Sequence, residues 1–567
     1  MRHHVSVAAV CALAALGGCW VDRDPYVDPD AGTDPDGDTP DPDGGNDGRH
    51  LLTVAVGGNG DGAVTSTPAG IDCPAVACSA EFDDGTTIQL TAAPSGSVFL
   101  GWSDACSGNT GCSVNLTQNS MVGALFGVPG DALWFNQVGS STGDYARDVV
   151  FADGHVFASG WFQGTVDIGG QALTSDGSND AFVAKLDAAT GTAVWAVRFG
   201  STDLDSAEGI AVDANGDVFV VGKFQGTVDF GGGNRMSAGD SDIFVVKLDG
   251  ETGAHIWSAR YGGLGNDGSG SAIAVSGANE IVVAGTFSSA SLTFGGATLT
   301  NAGAGVGDLY VAKLGNAAGA HVWSKRLGGA ASDSLAAIAV DSAGDVVLTG
   351  EFLGTTNYGG SDLMSAGGSD AFLVKLGAAA GAHLFSLRFG STLTDGGADV
   401  AVDSARRILL TGSFQGTVSF GGPTPLTSQS GRDVFLARYS LAGAHDWSKS
   451  FNSTTTDIAG ALTVDSADDV SVIGSFAGTI NLGGGDLTAA AGMEVFLGTF
   501  DGATGNHLGS IRLGGTGQEN GMDVTVAPDG RLYGAGHFEG FAEFGGIGHN
   551  AVGGVDGFIV GLNPLAN

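Results

Sequence analysis

The chain repeats itself, and nothing constrains its fold more. From residue 131 to the end, three markers return in register about every 62 residues. One is G-x-F, at Phe162, Phe224, Phe287, Phe352, Phe414, Phe476 and Phe538. A Gly-Gly pair follows each, from Gly169-Gly170 to Gly545-Gly546. The third is an acid two residues before an aromatic ring, from Asp180/Phe182 to Asp556/Phe558. Self-similarity at such a period calls for a propeller or a solenoid, because one unit cannot bury its apolar face alone.

One unit parses into four strands. In residues 206–263, "GIAVD" is strand a, "ANGD" a turn rich in positive-φ residues, and "VFVVGKF" strand b. A longer loop leads to "IFVVKL", strand c, and a Thr-Gly turn leads to "IWSARYG", strand d. Four antiparallel strands per unit make a propeller blade. The array opens on a lone d strand, Ala132–Gly139, and ends on a lone c strand, Gly557–Asn563. The first strand should therefore complete the last blade and remove its free edge. The expectation is an all-β chain whose residues 131–567 form a seven-bladed β-propeller. Its G-x-F, F-G-G and D-x-F-x-x-K-L elements resemble the bacterial SBBP-type beta-propeller repeat family.

The c–d hairpin "KLDAATGTAVW" (185–195) is similar to the tryptophan-docking repeat of pyrroloquinoline-quinone dehydrogenases. Those enzymes are eight-bladed and add a calcium site and a vicinal disulfide. Seven blades are expected here, and residues 131–567 contain no Cys. The stretch is therefore read as a hairpin turn, and no cofactor is expected.

The chain begins "MRHHVSVAAVCALAAL", a basic start and an apolar run too short to span a bilayer stably. Leu16-Gly17-Gly18-Cys19 looks like a bacterial lipobox, so residues 1–18 are expected to be a lipoprotein signal peptide and Cys19 the lipidated residue. Residues 19–50 carry ten Asp and five Pro with little that is apolar. Such a segment cannot bury a core, and its like charges repel, so it is expected to be a disordered tether. Residues 51–128 read as a small separate β module with four cysteines. An exported chain meets an oxidising compartment, and Cys73–Cys78 and Cys106–Cys112 would each close a short loop as a disulfide. The module resembles the divergent InlB-type B-repeat of bacterial surface proteins, which implies a spacer or adhesive role.

Charge narrows the partners. Sixty-one acids against 22 Lys and Arg give a formal net charge of −39, which repels phosphate backbones and argues against nucleic acid. Asp144, Asp205, Asp267, Asp333, Asp395, Asp457 and Glu519 each sit six residues after the d-strand apolar residue. With the strand-c acids they should share the face where d–a and b–c loops emerge. Either they form a cation site, calcium being the candidate, or each bonds turn amides of its own blade. Recurrence in every blade favours the turn-amide reading. Arg198, Arg260, Arg326, Arg388 and Arg512 are expected to pair with these acids; Gln137 and Ser450 break that series. His255, His321, His383, His445 and His507 recur before strand d, too far apart from blade to blade to share one metal, and read as turn residues. A specific site should appear where blades differ, and loops 262–271, 298–308 and 423–433 are the least regular. His155, His537 and Glu351 are singletons without partners in sequence.

No nucleophile elbow, zinc-protease or Walker motif occurs, so no catalytic residue is assigned. The expectation is an exported, lipid-anchored protein of the outer membrane or cell surface whose propeller binds or scaffolds an envelope or extracellular protein or a glycan. The alternatives are a propeller enzyme acting on extracellular polymer and an outer-membrane assembly factor. An aromatic patch at the channel mouth would favour a binder, and a cluster of unrepeated acids or Arg an enzyme.

Overall fold

The computed structural model describes residues 48–566 apart from Thr110 and Ala304; the expected signal peptide, Cys19 and most of the tether lie outside the described residues. Every regular element from Arg49 onward is a strand. Among the described residues no helix is long and apolar enough to cross a membrane.

Residues 49–127 form two four-stranded sheets. One is ordered Ser79–Asp83, Arg49–Gly58, Ser120–Gly127, Val98–Asp104, and its central pair is parallel. The other is ordered Asp72–Cys73, Gly62–Thr67, Thr86–Pro94, Cys112–Leu116. Alternation along these strands buries Leu52, Ile88, Leu116, Val122 and Phe126 between the sheets. Disulfides join Cys73 to Cys78 and Cys106 to Cys112, as the sequence leads one to expect. Asn59 Nδ2 donates to Asp131 Oδ2 at 2.7 Å, and Asn563 Nδ2 to the Val128 carbonyl at 3.1 Å, where this module meets the repeat region.

The repeat region is a β-propeller. Its first sheet runs Tyr145–Ala152, His155–Phe162, Asp180–Asp187, Ala193–Phe199, each strand antiparallel to the next. The same a-b-c-d order returns in the sheets that begin at Ser206, Asp267, Asp333, Gly396, Ile458 and Glu519. The a strands neighbour one another in a closed ring, the strand at Glu519 lying beside the one at Tyr145. Asp556–Leu562 pairs with Ala132–Val138, so the first strand of the region is the outer strand of its last sheet. Apolar clusters fill the spaces between sheets; one joins Val149, Phe162 and Phe182 of the first sheet to Trp134, Tyr533 and Ile559 of the last.

The c–d hairpin is more than a turn. Trp195 Nε1 donates to the Gly250 carbonyl in the hairpin of the next sheet. Trp134, Trp257, Trp323 and Trp447 do the same to Ala188, Asn316, Ala378 and Gly502. Each indole lies on the receiving hairpin's positive-φ glycine; a Cβ on Gly253 would sit 2.9 Å from Trp195. The Thr-Gly turn therefore needs Gly twice, for its backbone and for the ring it receives. Phe385 fills this place without a donor, against Gly443. Gly509 stands there in the sixth sheet, where Leu565 occupies the space.

The recurring histidines are packing groups too. His321, His383, His445 and His507 pair through Nε2 with the serine hydroxyl three residues on, at 2.9–3.2 Å. Each lies over a Gly-Gly pair; a Cβ on Gly296, Gly360, Gly422 or Gly484 would strike its ring. Burial lowers the pKa of His255, His445 and His507.

Candidate functional site

The two series of acids are where the sequence places them, at the ends of strands a and c. Asp144 Oδ2 accepts from the Ser140 amide at 2.6 Å and Oδ1 from the Gln163 amide at 2.8 Å, tying the d–a loop to the end of strand b. Asp205 and Asp395 repeat this with Ser201 and Gln225, and with Ser391 and Gln415. Asp267 accepts from the Gly263, Ser288 and Ser289 amides, Asp333 from Gly329 and Glu519 from Gly515. Burial raises Asp144, Asp205 and Asp333 to about 6, against the lowering effect of these amides. Burial, with the Asp433 carboxyl nearby, raises Asp457 to about 7; Glu519 reaches about 7, burial again leading. Of the strand-c acids, Asp180, Asp242, Asp308, Asp370 and Glu494 pair with Arg198, Arg260, Arg326, Arg388 and Arg512. Gln137 donates to Asp556, and Asp433 accepts from the Ser453 amide. Among the described residues no three His, Cys, Asp or Glu side chains converge as metal ligands.

What varies from sheet to sheet is the middle residue of G-x-F. It is Trp161, Lys223, Thr286, Glu351, Ser413, Ser475 and His537 in chain order. Across strands a and b it faces, in six sheets, the residue that follows the d–a acid, as Tyr145 opposite Trp161, Ser206 opposite Lys223 and Asn520 opposite His537; in the third a register shift sets Ser269 opposite Thr286. These positions form a collar around one end of the central channel. At three of them a hydroxyl braces the next sheet: Thr286 accepts from the Leu335 amide, Ser413 from Ala459 and Ser475 from Gly521, at 3.1–3.4 Å. Trp161, Lys223, Glu351 and His537 depart from that pattern. Glu351 accepts from the Ser369 hydroxyl at 2.9 Å. The other three fall in consecutive sheets: last, first and second.

That arc is dense in chemistry. Tyr145 stacks on Trp161 with ring centres 4.4 Å apart and meets the His537 ring at 4.3 Å. Asn520 Nδ2 lies 3.1 Å from His537 Nε2. An amide nitrogen only donates, so Nε2 is the acceptor and Nδ1 carries the hydrogen; Nδ1 is buried with no partner. Burial, then Arg147, lowers His537 to about 4, so the ring is neutral at physiological pH. Arg147 donates Nη2 and Nε to Glu208 Oε2 at 2.7 and 3.2 Å, and Ser206 donates to Oε1 at 2.7 Å. Lys223 Nζ stands 3.9 Å from the same carboxylate. Burial alone would raise Glu208, but Arg147 and Lys223 outweigh it and hold the acid ionised.

Behind the collar the channel holds a cavity of 370 Å³ walled by the a strands, with Arg147 and Glu208 on one side. Asp148, Asp399 and Asp523 occupy one strand-a position in the first, fifth and last sheets, where the other sheets carry Gly or Ala. Each braces its neighbour: Asp523 accepts from the Val149 amide, Asp148 from Ile210 and Asp399 from Leu462, at 2.7–2.8 Å. Burial and the Asp148 carboxyl beside it push Asp523 far up, so Asp523 holds the proton of that pair. Burial raises Asp399 to about 7.

The irregular loops 262–271, 298–308 and 423–433 spend polar groups on themselves and on adjoining strands: Asn301 Nδ2 donates to the Val306 carbonyl at 2.9 Å and to the Phe287 carbonyl at 3.1 Å, and Asn266 Oδ1 accepts from the Ser241 hydroxyl at 2.6 Å. His155, at the far end of strand b, bonds the Asp153 carbonyl. Of the sequence singletons only His537 and Glu351 lie in the collar. Trp161, Lys223, Arg147 and Glu208 are the residues sequence reasoning missed. The variable letter between an invariant Gly and an invariant Phe is the signal that finds the first two.

No family model matches the chain. It is 28% identical over 232 residues to the regulatory protein FlaEY of Caulobacter vibrioides, a match spanning 39% of the chain and 23% of that protein. The chain thus spans about a quarter of the length of the curated relative it matches. Among solved structures it is similar to BamB from Moraxella catarrhalis, with a TM-score of 0.34 at 15% identity over 75% of the chain and 97% of that protein. Another is the quinohemoprotein alcohol dehydrogenase of Comamonas testosteroni, with a TM-score of 0.37 at 13% identity over 76% of each chain.

Proposed function

We propose that the chain is an exported binding protein, held at the outer membrane or cell surface through a lipid on Cys19, whose seven-bladed propeller engages an envelope or extracellular partner at the collar. Residues that recur in every sheet serve the fold. A partner is read by residues that do not recur, because a repeated residue presents the same chemistry in every direction. The observation that carries the reading is the arc of Tyr145, Trp161, His537, Arg147, Glu208 and Lys223, unrepeated and gathered at one side of the channel mouth. An aromatic patch beside polar groups is the make-up of a binding surface. The B-repeat-like module and the acidic segment before it would hold the propeller away from the membrane, and the propeller repeats fit the SBBP type.

The test is binding of labelled full chain to outer-membrane and surface-polymer fractions of the producing bacterium. Arg147→Ala and Trp161→Ala should each lower binding tenfold or more while the fold persists by circular dichroism. Equal binding by both variants would remove the collar as the site. Cys19→Ala should release the protein from membranes, and retained membrane association would sink the anchor.

A further inference from the structure

We infer that the collar takes an acidic saccharide: a pyranose ring stacked at Trp161, with its carboxylate held by Lys223 and Arg147. The inference rests on the collar being the binding site and names its ligand class.

Trp161 stands apart from the other propeller tryptophans. Trp134, Trp195, Trp257, Trp323 and Trp447 are each spent on a neighbouring hairpin, with Nε1 satisfied. Trp161 is half-buried at the mouth, braced by Tyr145, and among the described residues its Nε1 has no acceptor. An indole held rigid from one side, with its donor free, suits the C–H face and hydroxyls of a sugar ring.

The charges select among sugars. Two cations, Arg147 and Lys223, share the one carboxylate of Glu208. Arg147 is bonded to it, while Lys223 at 3.9 Å is beyond hydrogen-bond distance and is one-third exposed. Among the collar side chains themselves two cations thus face one carboxylate, on a chain of net charge −39, and Asp148 stands next to them in the channel behind. A single carboxylate matches that excess. A phosphate monoester would bring a second negative charge toward Asp148 and Asp399 in the channel, and a neutral sugar would offer the Lys223 ammonium no anion within hydrogen-bond distance. The 370 Å³ behind the collar admits one or two sugar residues.

The experiment is titration calorimetry of the full chain with oligogalacturonate and with neutral galactan fragments of equal length. In parallel, surface polymer treated with protease or with periodate is tested for binding. The expected result is saturable binding of the acidic oligomer, weakened at least tenfold by Trp161→Ala and by Lys223→Gln, with little binding of the neutral one. Binding to surface polymer should survive protease and fall after periodate. Equal binding of acidic and neutral oligomers, or Lys223→Gln without effect, overturns the carboxylate assignment. Binding to surface polymer that survives periodate and is abolished by protease overturns the saccharide but leaves the collar as a protein-binding site. Loss of all binding to both materials removes the collar reading itself.

Discussion

Trp195 offers a direct measure of what holds neighbouring sheets together. Its side chain is 6% exposed, packs on the Gly253 turn of the next sheet, and donates to the Gly250 carbonyl at 3.2 Å. Removing a buried indole costs about 3–5 kcal/mol through lost transfer energy and the cavity left behind. The hydrogen bond is a smaller part. Lys185 Nζ donates to the same Gly250 carbonyl at 2.9 Å, so the carbonyl keeps a partner when the indole N–H goes. Trp195→Phe should then cost only about 1–2 kcal/mol, one net hydrogen bond plus the smaller ring. Phe385 already holds this place in the fourth sheet and shows that a benzene ring can dock. Trp195→Ala should cost the full 3–5 kcal/mol. Gly253→Ala should approach it from the other side, since φ is +72° and the new Cβ would lie 2.9 Å from the indole. Urea unfolding by circular dichroism measures all three, provided the slope with denaturant is unchanged. If Phe and Ala at 195 cost the same, the ring's packing is not what joins the sheets. If neither costs more than a few tenths of a kcal/mol, the docking account is wrong.

The other predictions concern the acids and the disulfides. Asp399 has a folded pKa raised to about 7, so it favours folding below the ordinary carboxylate range, and that contribution is lost as pH rises through 7. Asp399→Asn cannot ionise; its stability relative to the wild type should improve from pH 4 to about pH 7 and then level off, and a pH-independent difference would contradict the assignment. Cys73–Cys78 and Cys106–Cys112 close loops of 5 and 6 residues, for which chain entropy gives about 2 kcal/mol each. Cys73→Ala with Cys78→Ala should lower the module's unfolding midpoint accordingly, and alkylation of four free thiols in the untreated protein would disprove both bridges. Six of the seven d–a acids accept from turn amides, Asp457 being the exception, so millimolar calcium or EDTA should leave the melting temperature unchanged. A rise of several degrees with calcium would turn them into a metal site.

The features legible in the sequence are those that every unit must satisfy. G-x-F, Gly-Gly and the strand-c acid return because each sheet needs the same buried ring, the same turn and a donor for the same buried acid, an Arg in five sheets, and so the propeller could be read before any contact was seen. The docking role of "KLDAATGTAVW" was harder. Its partners lie about 60 residues away in the next sheet, and the turn alone accounts for every letter but the Trp. The collar was hidden for the opposite reason. A search for repeats keeps the Gly and the Phe and discards the residue between them, and that residue is where Thr286, Ser413 and Ser475 brace a neighbour while Trp161, Lys223 and His537 do not. The irregular loops attracted attention because they break the pattern in length. Length varies freely on an exposed loop, whose polar groups are taken up by the loop and the strand beside it, as at Asn301. A change of residue inside an invariant frame is a stronger signal. Its backbone position is fixed by the flanking strands, so only the side chain's chemistry differs, and its neighbours in the adjoining sheets are set by the ring. Three such changes in consecutive sheets place an aromatic stack, a neutral histidine and an ammonium 3.9 Å from the Glu208 carboxylate at one side of one channel mouth, and a repeat that served the fold alone would have no use for them there.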